Sequence, residues 1–275
     1  MQWIARKTVR EKEDISAQSI KPVLVVVPAF NEEATVADVV MKILNLGFDV
    51  LVVDDGSTDE TANSALVAGA AVLSLPINVG VGGALRAAFR FAIRRGYEAV
   101  IQIDADDQHP VHQIPELVSA AARSDADLVI GSRYLSTNST LISSLPRQSA
   151  MRMLSALLSR AAKSKLTDST SGFRLIRNPL LAEFALEFPN YYLGDTFEAT
   201  VRAARAGYRI VEVPASLSPR LHGKSSAGTL QALQLIAKAL LITQLRIYPG
   251  LHRSPRKSQG SGLPGKSLSV DSITK

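Results

Sequence analysis

The sequence predicts an α/β fold in which a mostly parallel sheet is flanked by helices on both faces, and three observations support this prediction. Short apolar runs alternate along the chain with segments whose apolar residues recur at helical spacing. Polar clusters follow each of the first five runs, where parallel strands would end. The chain has 275 residues, 46% of them hydrophobic and 20% charged, which suits a globular domain with a sizeable core.

The first half of the chain shows the alternation most clearly. The apolar runs predict strands at 23–28, 49–57 (which includes a turn), 71–75, 98–104 and 126–132. Helical spacing predicts the connecting helices at 32–47, 59–70, 80–96 and 111–124. Strands joined through helices run parallel, and such sheets bind ligands beyond the carboxyl ends of their strands. Functional side chains are therefore expected at these strand ends.

The second half is less regular. A helix is predicted at 146–163, and another at 196–207 lies between strands at 172–177 and 209–214. A long helical stretch follows at 229–248. The predicted regions are a flexible arm, one α/β domain, an amphipathic helix and a disordered tail, at 1–20, 21–226, 227–250 and 251–275 respectively.

Composition excludes several classes of function. The chain has no cysteine, which excludes disulfides, cysteine-ligated zinc and thiol nucleophiles. Its net charge is +6 and its pI about 9.6, but only 5% of residues are aromatic and no basic block is interleaved with them. A nucleic-acid partner is therefore not predicted. The N-terminal stretch MQWIARKTVREKED lacks the apolar core of a signal peptide, which predicts a cytoplasmic protein.

The stretch VIQIDADDQHP, residues 100–110, places acids at the end of the fourth predicted strand. Residues two apart in a strand face the same side, so Asp104 and Asp106 would direct their carboxylates to one point if the extended conformation continued. Close carboxylates repel unless a cation lies between them, and oxygen ligands, including the Gln108 amide, favour Mg²⁺ or Mn²⁺. A solvated loop that caps the next helix is the alternative. His109 is expected to be structural.

Three further motifs have both structural and functional interpretations. DDGSTDE (54–60) suits a turn with a helix cap, or a carboxylate that holds a ribose or a base. NVGVGGALRAAF (78–89) resembles a phosphate loop but follows the third strand, so its glycines allow either a close nucleotide or tight helix packing. PRLHGKSS (219–226) is either a basic loop that closes on phosphates or a solvated turn.

The sequence resembles the family 2 glycosyltransferases of GT-A fold, because it carries, in their order and spacing, PAFNEE, DDGSTDET, DADDQHP, GSRY and SGFR. The closer resemblance is to the dolichol-phosphate mannosyltransferase-like, or polyprenyl-phosphate glycosyltransferase, branch, and it extends roughly from Pro22 to Ser226. It implies a Rossmann-like sheet in a single catalytic domain. It also implies an inverting hexosyltransferase that uses a nucleotide-diphosphate sugar, such as a GDP- or UDP-sugar, with Mg²⁺ or Mn²⁺.

The resemblance further implies roles for individual residues. The metal ligands would be Asp104, Asp106 and Gln108. The residues expected to bind the nucleotide sugar are Pro28, Ala29, Asn31, Glu32, Asp54, Asp55, Asn78, Gly80, Asp104, Ala105, Asp106, Arg220 and Lys224. Those expected at the sugar and the acceptor are Arg133, Arg147, Asp168 and Ser171. The residues expected to take part in catalysis are Asp104, Asp106, Arg133, Arg220 and Glu198.

The acceptor decides whether the reaction needs a general base. A lipid monophosphate has a second pKa of about 6, so at neutral pH it needs cations to position it and no proton acceptor. Arg133 and Arg147 suit that task. A sugar hydroxyl, as in cell-wall or surface glycan synthesis, would need a base. Asp195 and Glu198 are the obvious carboxylates for it, with helix capping and a solvated face as their structural alternatives. The lipid phosphate is therefore the preferred acceptor.

Many relatives in this branch carry transmembrane helices after the catalytic domain, and this chain departs from them. The stretch 229–248 contains Lys238, Arg246 and three glutamines, whereas a membrane span needs roughly 20 predominantly apolar residues. The stretch therefore predicts a helix that packs on the domain or lies on a membrane surface. The second arrangement would make the protein peripheral on the inner face of the plasma membrane.

Two other classes of protein fit the sequence less well. A nucleotidyltransferase would carry a glycine-rich basic loop after the first strand, where PAFNEE stands. A non-catalytic nucleotide-sugar-binding module is disfavoured because the motif acids are intact. The sequence leaves open the sugar, the base, the acceptor and the oligomeric state, a homo-oligomer included.

Overall fold

A computed structural model of the chain describes residues 22–135, 155–156, 159–160, 166–168, 170–189 and 195–216. Several predictions fall outside these residues and remain predictions. They concern the N-terminal arm, most of the helix at 146–163, the helix at 229–248, the tail, and the side chains of Arg147, Arg220 and Lys224.

The described residues form seven strands and six α-helices. The strands are β1 (Val23–Ala29), β2 (Asp49–Asp54), β3 (Ala71–Ser74), β4 (Ala99–Gln102), β5 (Leu128–Ser132), β6 (Arg174–Arg177) and β7 (Ile210–Pro214). The helices are α1 (Val36–Asn45), α2 (Thr61–Val67), α3 (Val81–Arg94), α4 (Ile114–Ser124), α5 (Leu180–Glu187) and α6 (Asp195–Arg205). Within the described ranges, none of these helices is long and apolar enough to cross a lipid bilayer.

The seven strands form one sheet in the order β3-β2-β1-β4-β6-β5-β7. Strand β6 is antiparallel to both of its neighbours, and every other neighbouring pair in the sheet is parallel. This confirms the predicted mostly parallel sheet. Because β6 runs against the others, the residues that precede it lie at the carboxyl ends of β4 and β5. The segment 166–173 thereby reaches the edge where ligands of such sheets bind.

The sheet is buried on both faces. Val25 and Val27 of β1 belong to a core that includes buried side chains of α1 and α4. Leu24 and Val26, which point to the opposite face, belong to a second core that includes α3, α5 and α6. Burial on both faces explains why the strands are continuous apolar runs. Each fully buried aliphatic side chain stabilises the fold by about 1.5–3 kcal/mol, which gives the edge loops a rigid base.

Helix α5 was not predicted from the sequence. It has only eight residues, and most of them are apolar, so no clear helical stripe marks it. Its position is set by aromatic packing: the ring of Phe188 lies edge-on at 5.2 Å from Phe89 of α3 and at 5.1 Å from Phe184. Such pairs add about 0.5–1.5 kcal/mol beyond the burial of their area.

Two element ends differ from the predictions. Helix α1 begins at Val36 and not near Glu32, because the amides of Thr35 and Val36 both donate to the Glu32 carbonyl and form a turn. Strand β4 ends at Gln102, and the chain turns immediately after Asp104. The extended conformation on which a common direction of the Asp104 and Asp106 carboxylates depended therefore does not continue to Asp106.

Candidate active site

The carboxyl edge of the sheet gathers the predicted site residues from separate parts of the chain. Loops that follow β1, β2 and β3 form one side of this edge, which we call the donor side (residues 28–33, 54–61 and 75–81). The loop after β4 lies in the middle. The carboxyl ends of β5 and β7 and the residues that precede β6 form the other side, which we call the acceptor side (residues 132–135, 166–168, 170–174 and 212–214).

On the donor side, hydrogen bonds join the loop after β1 to the loop after β2. The Asn31 amide donates to Ser57 Oγ at 2.9 Å, and the Thr58 amide donates to Asn31 Oδ1, also at 2.9 Å. The Glu32 amide donates to Thr61 Oγ1 at 2.8 Å. Asn31 adopts a left-handed backbone conformation with φ of 55°, which asparagine tolerates better than most residues. The structure thus places Asn31 and Glu32 together, just beyond Pro28 and Ala29 at the end of β1.

Asp55 connects the second loop to the third. Its backbone amide donates to the Ala29 carbonyl at 2.8 Å, and its Oδ1 accepts from the Val79 amide at 2.8 Å. Burial raises the pKa of Asp55, and the amides of Val79 and Gly80 partly offset that rise. Asp55 is therefore a buried carboxyl that holds the loop after β3 against the loop after β2.

The neighbouring residues reinforce this arrangement. Gly56 has φ of +75°, and a Cβ there would lie 2.7 Å from the Ile77 carbonyl carbon, so only glycine fits. Asp54 Oδ1 accepts from the Ser57 amide at 3.0 Å, and Asn78 Oδ1 accepts from the Gly80 amide at 3.1 Å. DDGSTDE therefore forms the predicted turn, but not the predicted helix cap, since α2 begins after Glu60 without a side-chain cap. The turn places Asp54, Asp55, Asn78 and Gly80 in one cluster.

In the middle of the edge, a compact turn presents the acidic motif. The Asp104 amide donates to His109 Nδ1 at 3.0 Å, so the proton of a neutral His109 ring is assigned to Nε2. The His109 ring stacks on Phe173 at 5.7 Å, which is the structural role expected of it. Asp106 Oδ1 accepts a hydrogen bond from the backbone amide of Gln108 at 3.2 Å. Ala105, between the two acids, is buried.

Asp107, the third acid of the motif, is held away from the other two. Its backbone is left-handed with φ of 57°, and its Oδ2 pairs with Lys42 Nζ of α1 at 2.5 Å. No group of three or more His, Cys, Asp or Glu side chains within the described ranges is arranged to hold a metal ion. The ligand set of Asp104, Asp106 and Gln108 remains a prediction.

Gly172 of the SGFR motif fits closely against Asp104. A Cβ at position 172 would lie 2.8 Å from each oxygen of the Asp104 carboxylate. The carboxylate is 44% exposed, so its open side faces the edge while glycine lines the other. The sequence analysis named Ser171 and missed Gly172. The signal available in the sequence was a glycine at a position where no turn is predicted, which indicates that another group approaches the backbone closely.

On the acceptor side, Arg133 and Asp168 form a bidentate ion pair. Arg133 Nε donates to Asp168 Oδ2 at 2.6 Å, and Nη2 donates to Oδ1 at 2.7 Å. Burial opposes the charge on each side chain, but the hydrogen bonds and the charge of the partner outweigh it. The pKa of Asp168 is therefore lowered, and the pKa of Arg133 is raised. Thr170 Oγ1 accepts a further bond from Nη2 at 2.7 Å.

Arg174, which the sequence analysis missed, is a fully buried guanidinium beneath this pair. Its Nε donates to the Ser171 carbonyl at 3.0 Å, and its Nη1 donates to Thr200 Oγ1 of α6 at 3.3 Å. Burial lowers the pKa of Arg174 to about 10, and the negative charges of Asp168 and Asp104 oppose that effect. The signal available in the sequence was an arginine flanked by the apolar residues Phe173 and Leu175 within a predicted strand.

The two carboxylates of GDTFEAT lie at the start of α6 and are both buried. Glu198 is only 1% exposed, so the solvated face considered for it is wrong. Asp195 is 5% exposed. Ser171 is buried as well, and its Oγ accepts from the Phe173 amide at 3.2 Å. The structure thus brings Arg133, Asp168 and Ser171 together at the edge.

The fold and the acidic and cationic side chains at its carboxyl edge define a GT-A glycosyltransferase. The model of "Glycosyl transferase family 2" matches residues 24–184. The chain belongs to this family and is a glycosyltransferase.

Individual relatives and solved structures are consistent with this assignment. The chain is similar to undecaprenyl-phosphate mannosyltransferase of Micrococcus luteus, with 34% identity over 74% of this chain and 86% of that protein. It is also similar to polyprenol monophosphomannose synthase of Mycolicibacterium smegmatis, with 30% identity over 74% of this chain and 79% of that protein. Among solved structures, glucosyl-3-phosphoglycerate synthase of Mycobacterium tuberculosis has 26% identity and a TM-score of 0.62, over 79% of this chain and 78% of that one.

Proposed function

We propose that this glycosyltransferase moves a sugar from a nucleotide-diphosphate sugar, a GDP- or UDP-sugar, to a polyprenyl phosphate, with inversion at the sugar carbon and with Mg²⁺ or Mn²⁺ as cofactor. The observation that carries the proposal is the position of Arg133, which Asp168 holds in place, at the same edge as the half-exposed carboxylate of Asp104. The Asp104 charge contributes to the raised pKa of Arg133. A donor diphosphate and an acceptor phosphate could thus be handled side by side.

The names of two relatives support the acceptor. Both the undecaprenyl-phosphate mannosyltransferase and the polyprenol monophosphomannose synthase are named for a mannosyl group and a polyprenyl carrier. Nε and Nη2 of Arg133 already donate to Asp168, so a phosphate acceptor would be bound through Nη1, by a charge-assisted hydrogen bond. Arg147, outside the described residues, is proposed as a second cation at this phosphate.

The donor would bind on the donor side of the edge. The nucleoside would lie against the cluster of Asn31, Asp54 and Asp55, and the diphosphate would reach towards Asp104. Asn78 and Gly80 line the same cluster and would leave room for the ligand. Arg220 and Lys224, in the loop beyond the described residues, are proposed to close on the diphosphate.

The residues present fit a divalent metal. Asp104 offers a carboxylate that is 44% exposed at the edge and that lies so close to Gly172 that a side chain there would displace it. Carboxylate and amide oxygens are the ligands that Mg²⁺ and Mn²⁺ prefer. The M. tuberculosis synthase has been solved in complex with Mn²⁺ and UDP. When bound, such an ion would supply positive charge for the departing nucleoside diphosphate.

In this mechanism the side chains position charges and need not remove a proton. A phosphate monoester is largely dianionic at neutral pH, so its oxygen can attack the sugar carbon directly. Arg133, fixed by Asp168, would orient that phosphate on the face opposite the leaving group, which gives inversion. Arg133 would also exclude water, because its guanidinium occupies the space beside the attacking oxygen.

Direct assay of transfer tests the proposal. The protein would be incubated with GDP-, UDP- and dTDP-sugars, undecaprenyl phosphate in detergent, and Mg²⁺ or Mn²⁺. The expected result is one donor that yields a glycosylated lipid phosphate and free nucleoside diphosphate in equal amounts, with loss of both in the Asp104→Ala variant. Release of nucleoside diphosphate without a lipid product would contradict the acceptor, and no release with any donor would favour a binding module.

A second candidate is a hydroxyl acceptor, which the burial of Glu198 at the start of α6 favours, because a buried carboxylate near the acceptor side suits a general base. Substitution of Glu198 by Gln distinguishes the two. A loss of turnover with unchanged donor affinity would support the hydroxyl acceptor. Retained turnover would support the phosphate, which needs no base.

We also propose that the protein acts at the cytoplasmic face of the membrane as a peripheral protein. A polyprenyl acceptor resides in the bilayer, and the net charge of +6 favours anionic lipid surfaces. The amphipathic helix predicted at 227–250 would contribute to binding. Flotation with anionic liposomes, with and without residues 227–275, tests this. Equal recovery of both proteins in the soluble fraction would contradict it.

A further inference from the structure

Glu212 of β7 binds the backbone of the segment that carries Asp168. Its Oε1 accepts from the amides of Thr167 and Asp168, both at 2.8 Å. Its Oε2 accepts from the amide and from Oγ1 of Thr167, also at 2.8 Å. One side chain therefore fixes two consecutive peptide units and a hydroxyl. A carboxylate suits this position because both of its oxygens are only acceptors.

The same segment is fixed from a second direction. Thr167 Oγ1 lies 2.7 Å from Ser132 Oγ, at the end of β5, and Ser155 Oγ donates to the Thr167 carbonyl at 2.7 Å. Ser132 immediately precedes Arg133, so both members of the ion pair adjoin Thr167. The Arg133 amide also donates to Asp168 Oδ2 at 3.1 Å. A shift of Thr167 would consequently change the geometry of the Arg133–Asp168 pair.

We propose that Glu212 is a positioning residue: it holds Asp168 so that the guanidinium of Arg133 points at the acceptor phosphate. This inference rests on the proposed function, and it extends the site to β7, which lies beyond the residues 24–184 matched by the family model. Glu212 does not itself contact the reacting groups. It acts through hydrogen bonds that set the orientation of a side chain that does.

The substitution Glu212→Gln tests this. Glutamine keeps the shape, but its NH₂ group would face the amides that the carboxylate now accepts from, so at least one of these bonds is lost. Residues that orient a metal ligand through hydrogen bonds contribute about tenfold to a hundredfold, and we expect Glu212, which orients the Arg133–Asp168 pair in the same way, to contribute about as much. The expected result is a fall of that size in kcat/KM for the lipid phosphate, with the KM for the donor unchanged. Glu116→Gln removes an exposed pair with Arg123 on α4 and is the matched control, expected to leave both parameters unchanged.

A double-mutant cycle separates positioning from general destabilisation. If Glu212 acts through Arg133, Glu212→Gln should change activity by less than about twofold once Arg133 is replaced by Lys, because coupled residues are not additive. If the double variant instead lost activity by the product of the losses measured for Glu212→Gln and Arg133→Lys alone, the proposal would be overturned. Thr167→Val, which removes only the shared hydroxyl, is the milder variant should Glu212→Gln fail to fold, and the same non-additivity is expected of it.

A second measurement does not depend on turnover. In protein labelled with ¹⁵N-arginine, the Nε–H of Arg133 should be protected from exchange by its bond to Asp168, and its signal is assigned by its loss in Arg133→Lys. Glu212→Gln should speed that exchange at least about tenfold, towards the rate in Asp168→Asn. Unchanged exchange would overturn the positioning role. Failure of the wild-type protein to glycosylate any polyprenyl phosphate would instead contradict the proposed function, with the exchange result still decisive for Glu212.

Discussion

The donor side of the edge is held by hydrogen bonds between loops, whereas the acceptor side is held by buried charges. On the donor side, amides and hydroxyls of two loops bond to each other, and the pKa of the buried Asp55 carboxyl is raised. On the acceptor side, Arg133 neutralises Asp168, whose pKa is lowered, and Arg174 is a fully buried cation beneath them. The pKa of a buried carboxyl is therefore raised on one side of the edge, at Asp55, and lowered on the other, at Asp168.

The difference indicates different tasks. A cluster of loops tied by backbone amides, hydroxyls and single carboxyl groups, with no buried ion pair described among them, can fit the flat, weakly charged surface of a nucleoside. A guanidinium held in a fixed orientation by a carboxylate suits a charged phosphate, because a pre-organised donor need not reorient when the ligand binds. Removing a charge should therefore be costly on the acceptor side and nearly neutral on the donor side.

The largest expected effect is that of Asp168→Asn. Removing one partner of a buried ion pair leaves the other charge uncompensated and costs about 3–5 kcal/mol, and we expect the lower part of that range because Arg133 is 22% exposed. Asp55→Asn is the matched variant. Its amide oxygen can still accept from Val79, so its cost should stay below about 1 kcal/mol. Urea unfolding of both variants measures the difference, and equal costs would contradict the contrast between the two sides.

Gly172→Ala should have a smaller effect on stability but a clear one on binding. The added Cβ would lie 2.8 Å from both Asp104 oxygens, so the carboxylate must move. A displacement of this kind should weaken the binding of nucleoside diphosphate with Mn²⁺ by about tenfold, since misplacement of a site group by about 1 Å is costly. Calorimetric titration of GDP and UDP with Mn²⁺ measures this.

A matched glycine lies far from the edge. Gly47, after α1, has φ of +80°, and no atom lies within 4 Å of an added Cβ. Gly47→Ala should therefore lower the free energy of unfolding by about 1 kcal/mol through backbone strain, without changing nucleotide affinity. If both alanine variants bound nucleotide as tightly as the wild-type protein, Asp104 would not take part in binding the metal and the diphosphate.

The local parts of this picture were predictable from the sequence. All seven strands were placed correctly, because apolar runs rich in β-branched residues have a strong local signal, even in β3, which is only partly buried. The parallel arrangement then placed Asp55, Asp104 and Arg133 at one edge. The turn that follows Asp104 was not predictable. It involves His109, which accepts a hydrogen bond from the Asp104 amide and stacks on Phe173, a residue distant in the sequence.

The partners of the charged residues could not be predicted for a related reason. Arg133 and Asp168 are 35 residues apart in the chain, and Thr167 and Glu212 are 45 apart. Such pairs depend on the sheet order, in which β6 is inserted between β4 and β5 and β7 lies beyond β5. Neither periodicity nor spacing indicates that β6 runs antiparallel, so the approach of Gly172 to Asp104 appears only in the structure.

The smallest expected effect is a difference in the pH dependence of stability between the two sides. The pKa of Asp168 is lowered from its ordinary value of 3.8, so its contribution to stability is present above that value and is lost as the pH falls through the folded-state pKa. The pKa of Asp55 is raised from 3.8, so its contribution is present below that value and is lost as the pH rises through the folded-state pKa.

Replacing each carboxyl by its amide should therefore change the pH dependence in opposite directions. Asp168→Asn should flatten the fall in the free energy of unfolding as the pH drops below about 3.8, where the unfolded state takes up the proton of Asp168 first. Asp55→Asn should act above about 3.8: it removes the stability that the wild-type protein gains as the pH falls from the folded-state pKa of Asp55 towards 3.8. Urea unfolding of the three proteins between about pH 3 and pH 6 measures the slopes. Parallel curves for the two variants would mean that Asp55 and Asp168 experience the same electrostatic environment, and the contrast between these two buried carboxyls would be lost.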